Sequence, residues 1–340
     1  MTAEATTEAR QLPYILAITE GVRQSLQEYD TSFLAGEDVG LAGSVFRIYK
    51  GLYAEFGPER VIDSPISEAG LIGLGVGAGA TGLRPMIDIM FSDFIGECMD
   101  EIANQLAKTR YMFGGKTTLP VTVLTMGGGG INLAAQHSQS LEAWLCHIPG
   151  LKVMMPATPH DVKGAIIAAN RDENPVFVIM NKASLGITGE VPEEPYAVNI
   201  GEAIVRREGS NFTIVAIGRM MHEAMAAAEI LEKDGIDVEV IDPLTLQPLD
   251  TETILTSVRK THRALVVHEA VRFGGIGAEI AAQIQENAFD DLDAPVGRIG
   301  APFSPVPFSP PLEQAYLPNC LLYTSDAADE GLGVDLGGRR

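Results

Sequence analysis

The sequence predicts an α/β protein made of two doubly wound domains, and two patterns carry that prediction. Short apolar, β-branched runs, which suit buried parallel strands, alternate with helical segments along the chain. The alternation restarts after residues 186–200 (GITGEVPEEPYAVNI), a stretch rich in proline, glycine and acidic residues. We therefore predict a first domain over residues 1–185, a linker over 186–200 and a second domain over 201–319.

The individual elements follow from the same periodicities. A helix over Ile15–Leu26 precedes an extended run over Ser32–Gly36, and Gly36 and Gly40 then mark a loop. Further strands of the first domain are predicted at Pro85–Met90, Val121–Thr125, Lys152–Met155 and Val176–Met180, with helices at Ala69–Thr81, Ser92–Arg110, Ser138–Leu145 and Pro159–Asn170. In the second domain the predicted strands are Phe212–Ile217, Val238–Ile241 and Ala264–Val267, and the predicted helices are Met220–Asp234 and a segment from Gly274 to Glu286.

The composition and charge of the chain argue against several functional classes. Of 340 residues, 46% are hydrophobic and 20% are charged, which is enough apolar material for two cores. The formal net charge is −21 and no basic block occurs, which argues against a nucleic-acid partner. No segment resembles a signal peptide or a membrane span, and three cysteines are too few for a disulfide framework. We therefore expect a cytoplasmic protein that does not bind a membrane.

The last residues differ in character from the rest of the chain. From Cys320 onwards the sequence reads CLLYTSDAADEGLGVDLGGRR, in which small, acidic and glycine residues replace an apolar pattern punctuated by proline. The part CLLYTSDAADE resembles the translation of a transposase-type sequencing adapter, and a naturally disordered tail is the alternative. In either case we leave residues 320–340 out of the prediction of the fold.

Two carboxylate and aromatic segments are candidates for chemistry. Glu68 lies at the start of a very apolar, glycine-rich helix, where it either caps the helix through its dipole or faces a ligand. The segment FSDF at 91–94 follows a predicted strand end, where open α/β sheets bind ligands. Aromatic packing in the core is the alternative for Phe91 and Phe94.

A histidine forms the third candidate. His137 lies beside the predicted helix start at Ser138 and follows the glycine run at 127–130. The positive end of a helix disfavours the charged imidazolium, so this position favours a proton-accepting histidine; a hydrogen-bonded loop histidine is the alternative. The glycine run lacks the lysine of a P-loop and the spacing of a dinucleotide motif, so it predicts no nucleotide site.

In their order and spacing these segments resemble the β subunits of the E1 components of thiamine-diphosphate-dependent 2-oxo acid dehydrogenases of the pyruvate, acetoin and branched-chain types. The resemblance covers residues 12–319 and implies a thiamine pyrimidine-binding domain followed by a transketolase C-terminal domain. Its marks in the first domain are GEDVG at 36–40, FGPERV at 56–61, SPISEAG at 64–70, FSDF at 91–94, QHSQS at 136–140, HIPGLKV at 147–153 and RDENP at 171–175.

The resemblance implies roles for five side chains. Glu68 is expected to hydrogen-bond the aminopyrimidine ring of thiamine diphosphate, a role that suits a buried carboxylate able to share a proton with a ring nitrogen. Phe94 is expected to pack against the pyrimidine, with Ile66 and Met90 lining that pocket. His137 is expected to face the thiazolium ring and the substrate, and to handle protons or charge during decarboxylation or acyl transfer to lipoamide.

The resemblance also implies two metal sites. Asp172 and Asn174, with carbonyl groups near Val121, Ala169 and Asn170, resemble a structural site for a monovalent cation such as K⁺ in some relatives. Thiamine enzymes hold Mg²⁺ and the diphosphate with a Gly-Asp-Gly segment, which this chain lacks. The resemblance therefore assigns Mg²⁺ and the diphosphate half of the site to a separate α subunit in an α2β2 heterotetramer.

The second domain resembles the transketolase C-terminal domain through GRMMH at 218–222, EVIDP at 239–243 and EAVRFGGIG at 269–277. Its implied role is β–β contact and docking of the subunit-binding domain of E2, whose lipoyl domain would receive the acyl group. The acidic composition suits a basic E2 partner. Glu269 and Arg272 are interpreted as ordinary loop charges rather than as catalytic groups.

The sequence leaves the substrate open. Many relatives carry an arginine where this chain has Leu124, and a tyrosine where it has NKASL at 181–185. A small 2-oxo acid of the pyruvate type is the first expectation, and acetoin is the alternative. A non-catalytic scaffold of the same fold is a further hypothesis. A self-sufficient transketolase or deoxyxylulose-phosphate synthase would need an N-terminal diphosphate domain, for which 340 residues leave no room.

Overall fold

Residues 9–320 are described by a computed structural model, so the expectation for residues 321–340 lies outside the described range. The strands in chain order are β1 (Gln11–Pro13), β2 (Ser32–Gly36), β3 (Val61–Asp63), β4 (Arg84–Phe91), β5 (Thr122–Gly127), β6 (Lys152–Met154), β7 (Val176–Asn181), β8 (Thr188–Glu190), β9 (Ile204–Arg207), β10 (Phe212–Ala216), β11 (Val238–Asp242), β12 (Thr245–Gln247), β13 (Ala264–Val271) and β14 (Gly297–Ala301). The α-helices are α1 (Tyr14–Glu28), α2 (Leu52–Phe56), α3 (Glu68–Ala80), α4 (Thr109–Met112), α5 (Glu142–Cys146), α6 (Pro159–Arg171), α7 (Met220–Lys233), α8 (Thr251–Thr261), α9 (Ile276–Asn287) and α10 (Pro310–Tyr316).

The first sheet forms from apolar runs that are buried along most of their length. Its strand order is β12-β6-β7-β5-β4-β2-β3, and all neighbours are parallel except β12 and β6. Helices α1 and α6 pack together on one face and α3 covers the other. Because β2, β4 and β5 are parallel neighbours, their carboxyl ends meet at one edge of the sheet.

The second sheet has the strand order β14-β13-β10-β11-β9, with β9 antiparallel to β11. Helix α7 packs on one face, and α8 and α9 pack on the other. Strand β12 follows β11 in the chain but pairs with β6 of the first sheet, and one apolar core contains residues of both domains. The two domains therefore share a packed interface rather than a loose tether.

The predicted fold of two α/β domains is confirmed, and the predicted strands all coincide with observed ones. Helix α8 was not predicted, although its buried Ile254, Leu255 and Val258 have helical spacing. The outer strands of the two sheets were also not predicted, and they are only three to five residues long: β3, β9, β12 and β14. The prediction of one continuous helix over Ser92–Arg110 is wrong. The segment winds as a 3₁₀ helix over Ser92–Cys98, a π-helix over Glu101–Leu106 and then α4, a change of winding that keeps its apolar residues in the core.

The buried side chain of Lys163 binds the predicted linker to the first domain. Strand β8 lies within residues 186–200 and pairs antiparallel with β1. The ammonium of Lys163, on α6, donates to the carboxylate of Glu20 at 2.7 Å and to the carbonyl oxygens of Pro192, Glu193 and Glu194. The ring of Tyr196 lies 5.0 Å from the same nitrogen. Strand pairing and the Lys163 ammonium thus both hold the linker in place, while the exact domain bounds stay a prediction.

One arginine joins the two domains electrostatically. Arg206, on β9, donates to the buried carboxylates of Asp161 at the start of α6 and Asp242 at the end of β11. Burial raises the pKa of Asp242 to about 6, whereas hydrogen bonds and Arg206 outweigh burial and lower the pKa of Asp161. The guanidinium allows two carboxylates to be buried close together at the interface.

Candidate active site

The carboxyl edge of the first sheet brings together the segments that carry the predicted site. Strands β2, β4 and β5 end at Gly36, Phe91 and Gly127, and these strands are neighbours. Glu68 begins the helix that follows β3, the parallel neighbour of β2. Phe94 lies in the 3₁₀ helix after β4, and His137 lies in the loop after β5. Convergence of three strand ends is the usual place for a ligand in an open α/β sheet.

Glu68 is the first residue of α3, as predicted, but it is half-buried rather than buried. The backbone N–H of Ser67, just before it, donates to the carboxylate of Glu37 at 3.1 Å. Burial, together with the carboxylates of Glu68 and Asp38, raises the pKa of Glu37. The side chain of Ile66 is 83% exposed, so an apolar surface lies open beside the Glu68 carboxylate.

An aromatic cluster connects the turn after β4 with the loop that carries His137. The imidazole ring of His137 contacts Phe91 and Phe94 edge to face, with ring centroids 4.8 and 5.5 Å apart. Phe91 also contacts Phe94 and Phe46, each at 5.4 Å. Met90, half-buried, precedes Phe91 in β4. Phe91 is therefore the packed centre of the cluster, and Phe94 and His137 are its more exposed members.

The prediction that His137 lies at a helix start is wrong. The helix begins at Glu142, and residues 137–141 form a loop. The polar backbone groups of this loop have partners elsewhere, because Gln139 donates its N–H to Asp93 at 3.0 Å and its carbonyl accepts from Gly128 at 3.0 Å. These tertiary hydrogen bonds replace the helical ones, so the orientation of His137 depends on the loop and not on a helix dipole.

The interpretation of Glu269 as an ordinary loop charge is also wrong. Glu269 lies in β13, is buried, and accepts hydrogen bonds from the Gly129 N–H and from the amide of Asn181. Burial raises its pKa despite these bonds. Glu313, on α10, is buried in a similar way and accepts from the N–H groups of Gly130 and Asn132 at 3.0 and 2.9 Å. The second domain thus binds the glycine run of the first.

The residues expected around a monovalent cation lie together, but cationic side chains contact their oxygens. Arg84 donates to the carbonyl oxygens of Asn170 and Asp172 at 2.9 and 3.2 Å, and Lys152 donates to the carboxylate of Asp172. Arg110 donates to the side-chain oxygen of Asn174 at 2.6 Å. The carbonyls of Val121 and Ala169 accept backbone hydrogen bonds from Val176 and Asp172. The cation site stays a prediction, with arginine and lysine as competing partners for its oxygens.

In residues 9–320, no group of three or more histidine, cysteine, aspartate or glutamate side chains is placed to hold a metal ion. Within the same range, no helix has both the length and the apolar character needed to cross a membrane.

The fold and the arrangement of Glu68, Phe94 and His137 define a protein of the transketolase type. Family models described as the transketolase pyrimidine binding domain and the transketolase C-terminal domain match residues 10–188 and 201–320. A solved structure titled "Split gene transketolase, inactive beta4 tetramer" superposes with a TM-score of 0.78 and 25% sequence identity, over 95% of this chain and 99% of that chain.

Curated relatives narrow the class further. The β subunit of acetoin:2,6-dichlorophenolindophenol oxidoreductase of Bacillus subtilis (strain 168) is 46% identical over 91% of this chain and 94% of the relative. The β subunit of the pyruvate dehydrogenase E1 component of the same strain is 45% identical over 91% of this chain and 95% of the relative. The chain belongs to the family of E1 β subunits of the thiamine-diphosphate-dependent 2-oxo acid dehydrogenases, which are oxidoreductases.

Proposed function

We propose that this chain is the β subunit of an E1 component that oxidatively decarboxylates a pyruvate-type 2-oxo acid and passes the acyl unit to lipoyl-bearing E2. The observation that carries the proposal is the convergence of Glu68, Phe94 and His137 at the carboxyl edge of the first sheet. The three cysteines are free, which suits the cytoplasm that we propose as its location.

The side chains at this edge fit the pyrimidine half of thiamine diphosphate. A flat heteroaromatic ring would cover the exposed Ile66 and the partly exposed Phe94, while Met90 borders the same region. The half-buried carboxylate of Glu68 would accept a hydrogen bond from a ring nitrogen and move a proton with it. When bound, the cofactor supplies the electron sink that decarboxylation needs.

His137 is proposed to act on the substrate side of the same site. Its ring is held edge to face by Phe91 and Phe94, which restrict its rotation and leave the imidazole half-buried. A positioned imidazole can donate or accept a proton near neutral pH. We propose that His137 handles protons or charge during decarboxylation or acyl transfer, rather than binding the cofactor.

The remaining half of the site is proposed to come from an α subunit in an α2β2 heterotetramer. The chain has no Gly-Asp-Gly segment to hold Mg²⁺ and the diphosphate, so we assign both to α. The outer face of α3 supports close contact with another chain, because a Cβ built on Gly73 or Gly77 would meet no described atom within 4 Å. Leu74, half-exposed on that face, offers apolar surface to a partner.

Two further parts of the assignment are carried only by family membership. Docking of the E2 subunit-binding domain is assigned to the second domain, whose acidic character suits a basic partner. A monovalent cation such as K⁺ is assigned to Asp172, Asn174 and the carbonyls of Val121, Ala169 and Asn170. Binding would require Arg84 to release the carbonyl of Asn170, so a higher melting temperature in KCl than in choline chloride would support the cation site.

Acetoin is the second candidate substrate, because acetoin and pyruvate subunits are equally similar to the chain. The test is dye reduction with thiamine diphosphate and Mg²⁺, using the chain alone and the chain co-expressed with the α-type gene beside it. Pyruvate, branched-chain 2-oxo acids and acetoin would be ranked by rate. Activity only in the pair is the expected result. A folded α–β complex that is inactive with every substrate would favour the scaffold hypothesis.

A further inference from the structure

Lys182 is a buried cation that the proposed reaction does not use. It follows β7, only 2% of the residue is exposed, and its ammonium donates no hydrogen bond to any residue of the described range. The ammonium lies 5.5 Å from the ring centroid of Phe91, the centre of the aromatic cluster that holds His137. Burial of a charged group without a hydrogen bond has a high free-energy cost, so we expect another interaction to stabilise the Lys182 ammonium.

Three buried or half-buried carboxylates provide that interaction. Lys182 is attracted by Asp93 from the turn after β4, by Glu269 from β13 and by Glu313 from α10. One oxygen of Asp93 is itself buried and has no hydrogen-bond partner among the described residues. The ammonium donates a hydrogen bond to none of the three carboxylates, so its interaction with each of them is electrostatic and acts over a longer distance.

The same three carboxylates hold the loop between β5 and α5. Glu269 and Glu313 accept the N–H groups at its beginning, and Asp93 accepts one near its end; the donors are Gly129, Gly130, Asn132 and Gln139. Hydrogen bonds from backbone N–H groups to carboxylates are strong, and here they bracket His137 on both sides. The loop is thus fixed by three negative charges that would repel one another without a cation among them.

We propose that Lys182 is a positioning residue: its ammonium neutralises Asp93, Glu269 and Glu313 together and thereby fixes the loop that carries His137. The consequence for catalysis rests on the proposed function, because it requires His137 to act on the substrate. The consequence for the order of the loop is independent of the proposed function. Without the ammonium, the three carboxylates would take up protons or move towards solvent, and either change would weaken the bonds to the loop.

The arrangement predicts that the order of the loop that carries His137 decreases at alkaline pH. Burial lowers the pKa of Lys182 to about 8, although the three carboxylates oppose that shift. The counter-charge is therefore present below about pH 8 and lost above it. The guanidinium of Arg219 also acts electrostatically on Glu269. The loop should become more mobile as Lys182 loses its proton.

Hydrogen–deuterium exchange of the full chain tests the loop directly and needs no turnover. At pH 7, Lys182→Met should speed exchange in residues 127–140 by about tenfold, because the hydrogen bonds of that loop are weakened. The matched control is Lys163→Met, which removes another buried ammonium but leaves this loop untouched. In the unmodified chain, exchange there should rise between pH 7 and pH 9 by more than the intrinsic rate, and Lys182→Met should abolish that excess.

Turnover of the α–β complex gives the second readout. Lys182→Met should lower kcat about tenfold, with KM for the cofactor little changed and with no alkaline fall centred near pH 8. Lys182→Arg should restore most of kcat and remain active at pH 9, since its charge persists. Unaltered loop exchange in Lys182→Met would overturn the inference. If that variant does not fold, the absence of excess exchange in the unmodified chain between pH 7 and pH 9 overturns it instead. An unmodified complex that is inactive, with the expected exchange, would contradict only the proposed function.

Discussion

Single side chains at the carboxyl edge determine whether the proposed site can work. Glu68→Gln keeps the size of the side chain and removes its ionisable group, so we expect turnover to fall by at least about 100-fold. Assembly with α should persist, because Glu68 lies at the start of α3 and not on the glycine face. Dye reduction and size-exclusion chromatography measure the two properties. Glu229→Gln, on the exposed side of α7, is the matched control, and normal turnover in Glu68→Gln would contradict the assignment.

His137→Ala is expected to separate chemistry from cofactor binding. The change removes the imidazole and should lower the rate of decarboxylation or acyl transfer about 100-fold or more. The dissociation constant of thiamine diphosphate should change little, because Phe91 and Phe94 retain their mutual contact. Rapid-reaction kinetics and a fluorescence titration make the comparison, with the exposed His147→Ala as control. A variant that only binds the cofactor more weakly would show that the role proposed for His137 is wrong.

The position of a site residue could be predicted where it lies next to a recognisable local pattern, while its role stays a prediction. Glu68 and Phe94 follow a loop and a strand end, so their position near a ligand edge can be inferred from the order of elements. Glu269, Glu313 and Lys182 were missed as a group because the residues that they meet are far away in sequence. Glu313 binds Asn132 across 181 positions, and no local periodicity indicates such a contact.

At the scale of elements, strand β4 contains an ionisable side chain, Asp88, that is buried away from water. Asp88 is buried in this strand, accepts a hydrogen bond from the Tyr49 hydroxyl at 3.0 Å, and has a pKa raised by burial to about 7. The folded chain therefore binds a proton between about pH 4 and pH 7 that the unfolded chain does not. The stability due to this proton is fully present below about pH 4 and is lost progressively as pH rises to about 7.

Asp88→Asn should remove this pH dependence while keeping an acceptor for Tyr49. We expect the stability advantage of the variant over the unmodified chain to grow by about 2–3 kcal/mol between pH 5 and pH 8, since the folded unmodified chain binds the extra proton at pH 5 and has lost it at pH 8. Denaturant unfolding at both pH values makes the measurement. Glu142, whose pKa burial also raises to about 7, should preserve part of the slope. Equal destabilisation at both pH values would instead indicate that Asp88 acts only through packing.

The elements themselves were predictable to different degrees. Central strands such as β5, β7 and β10 are continuous apolar runs, and burial on both faces leaves no other arrangement for them. Apolar periodicity alone predicts that helix α5 begins at Ser138, whereas it begins at Glu142. Hydrogen bonds to Asp93 and Gly128 hold Gln139 out of the helix, and these partners belong to other loops.

For the whole molecule, the interface between the domains depends on Arg206. Arg206→Met would leave Asp161 and Asp242 buried together without their cation, and we expect a loss of about 3–5 kcal/mol in stability. Arg206→Met combined with Asp242→Asn should recover part of this loss, because one of the buried charges is then removed. Urea unfolding measures all variants, and Arg259→Met, an exposed arginine on α8, serves as control. Equal effects for Arg206→Met and Arg259→Met would mean that the ion pairs do not join the domains.

The sequence by itself determined the two-domain α/β fold, the inner strands of both sheets and the family, because these depend on local periodicity and on motifs contiguous in the chain. Only the tertiary structure decided which groups surround the His137 loop and how the domains join. Lys182, Glu269 and Glu313 come from three separate elements, and Arg206 links Asp161 to Asp242 across the interface. Burial and charge pairing arise only after packing has brought distant segments together, so no pattern along the chain encodes them in readable form.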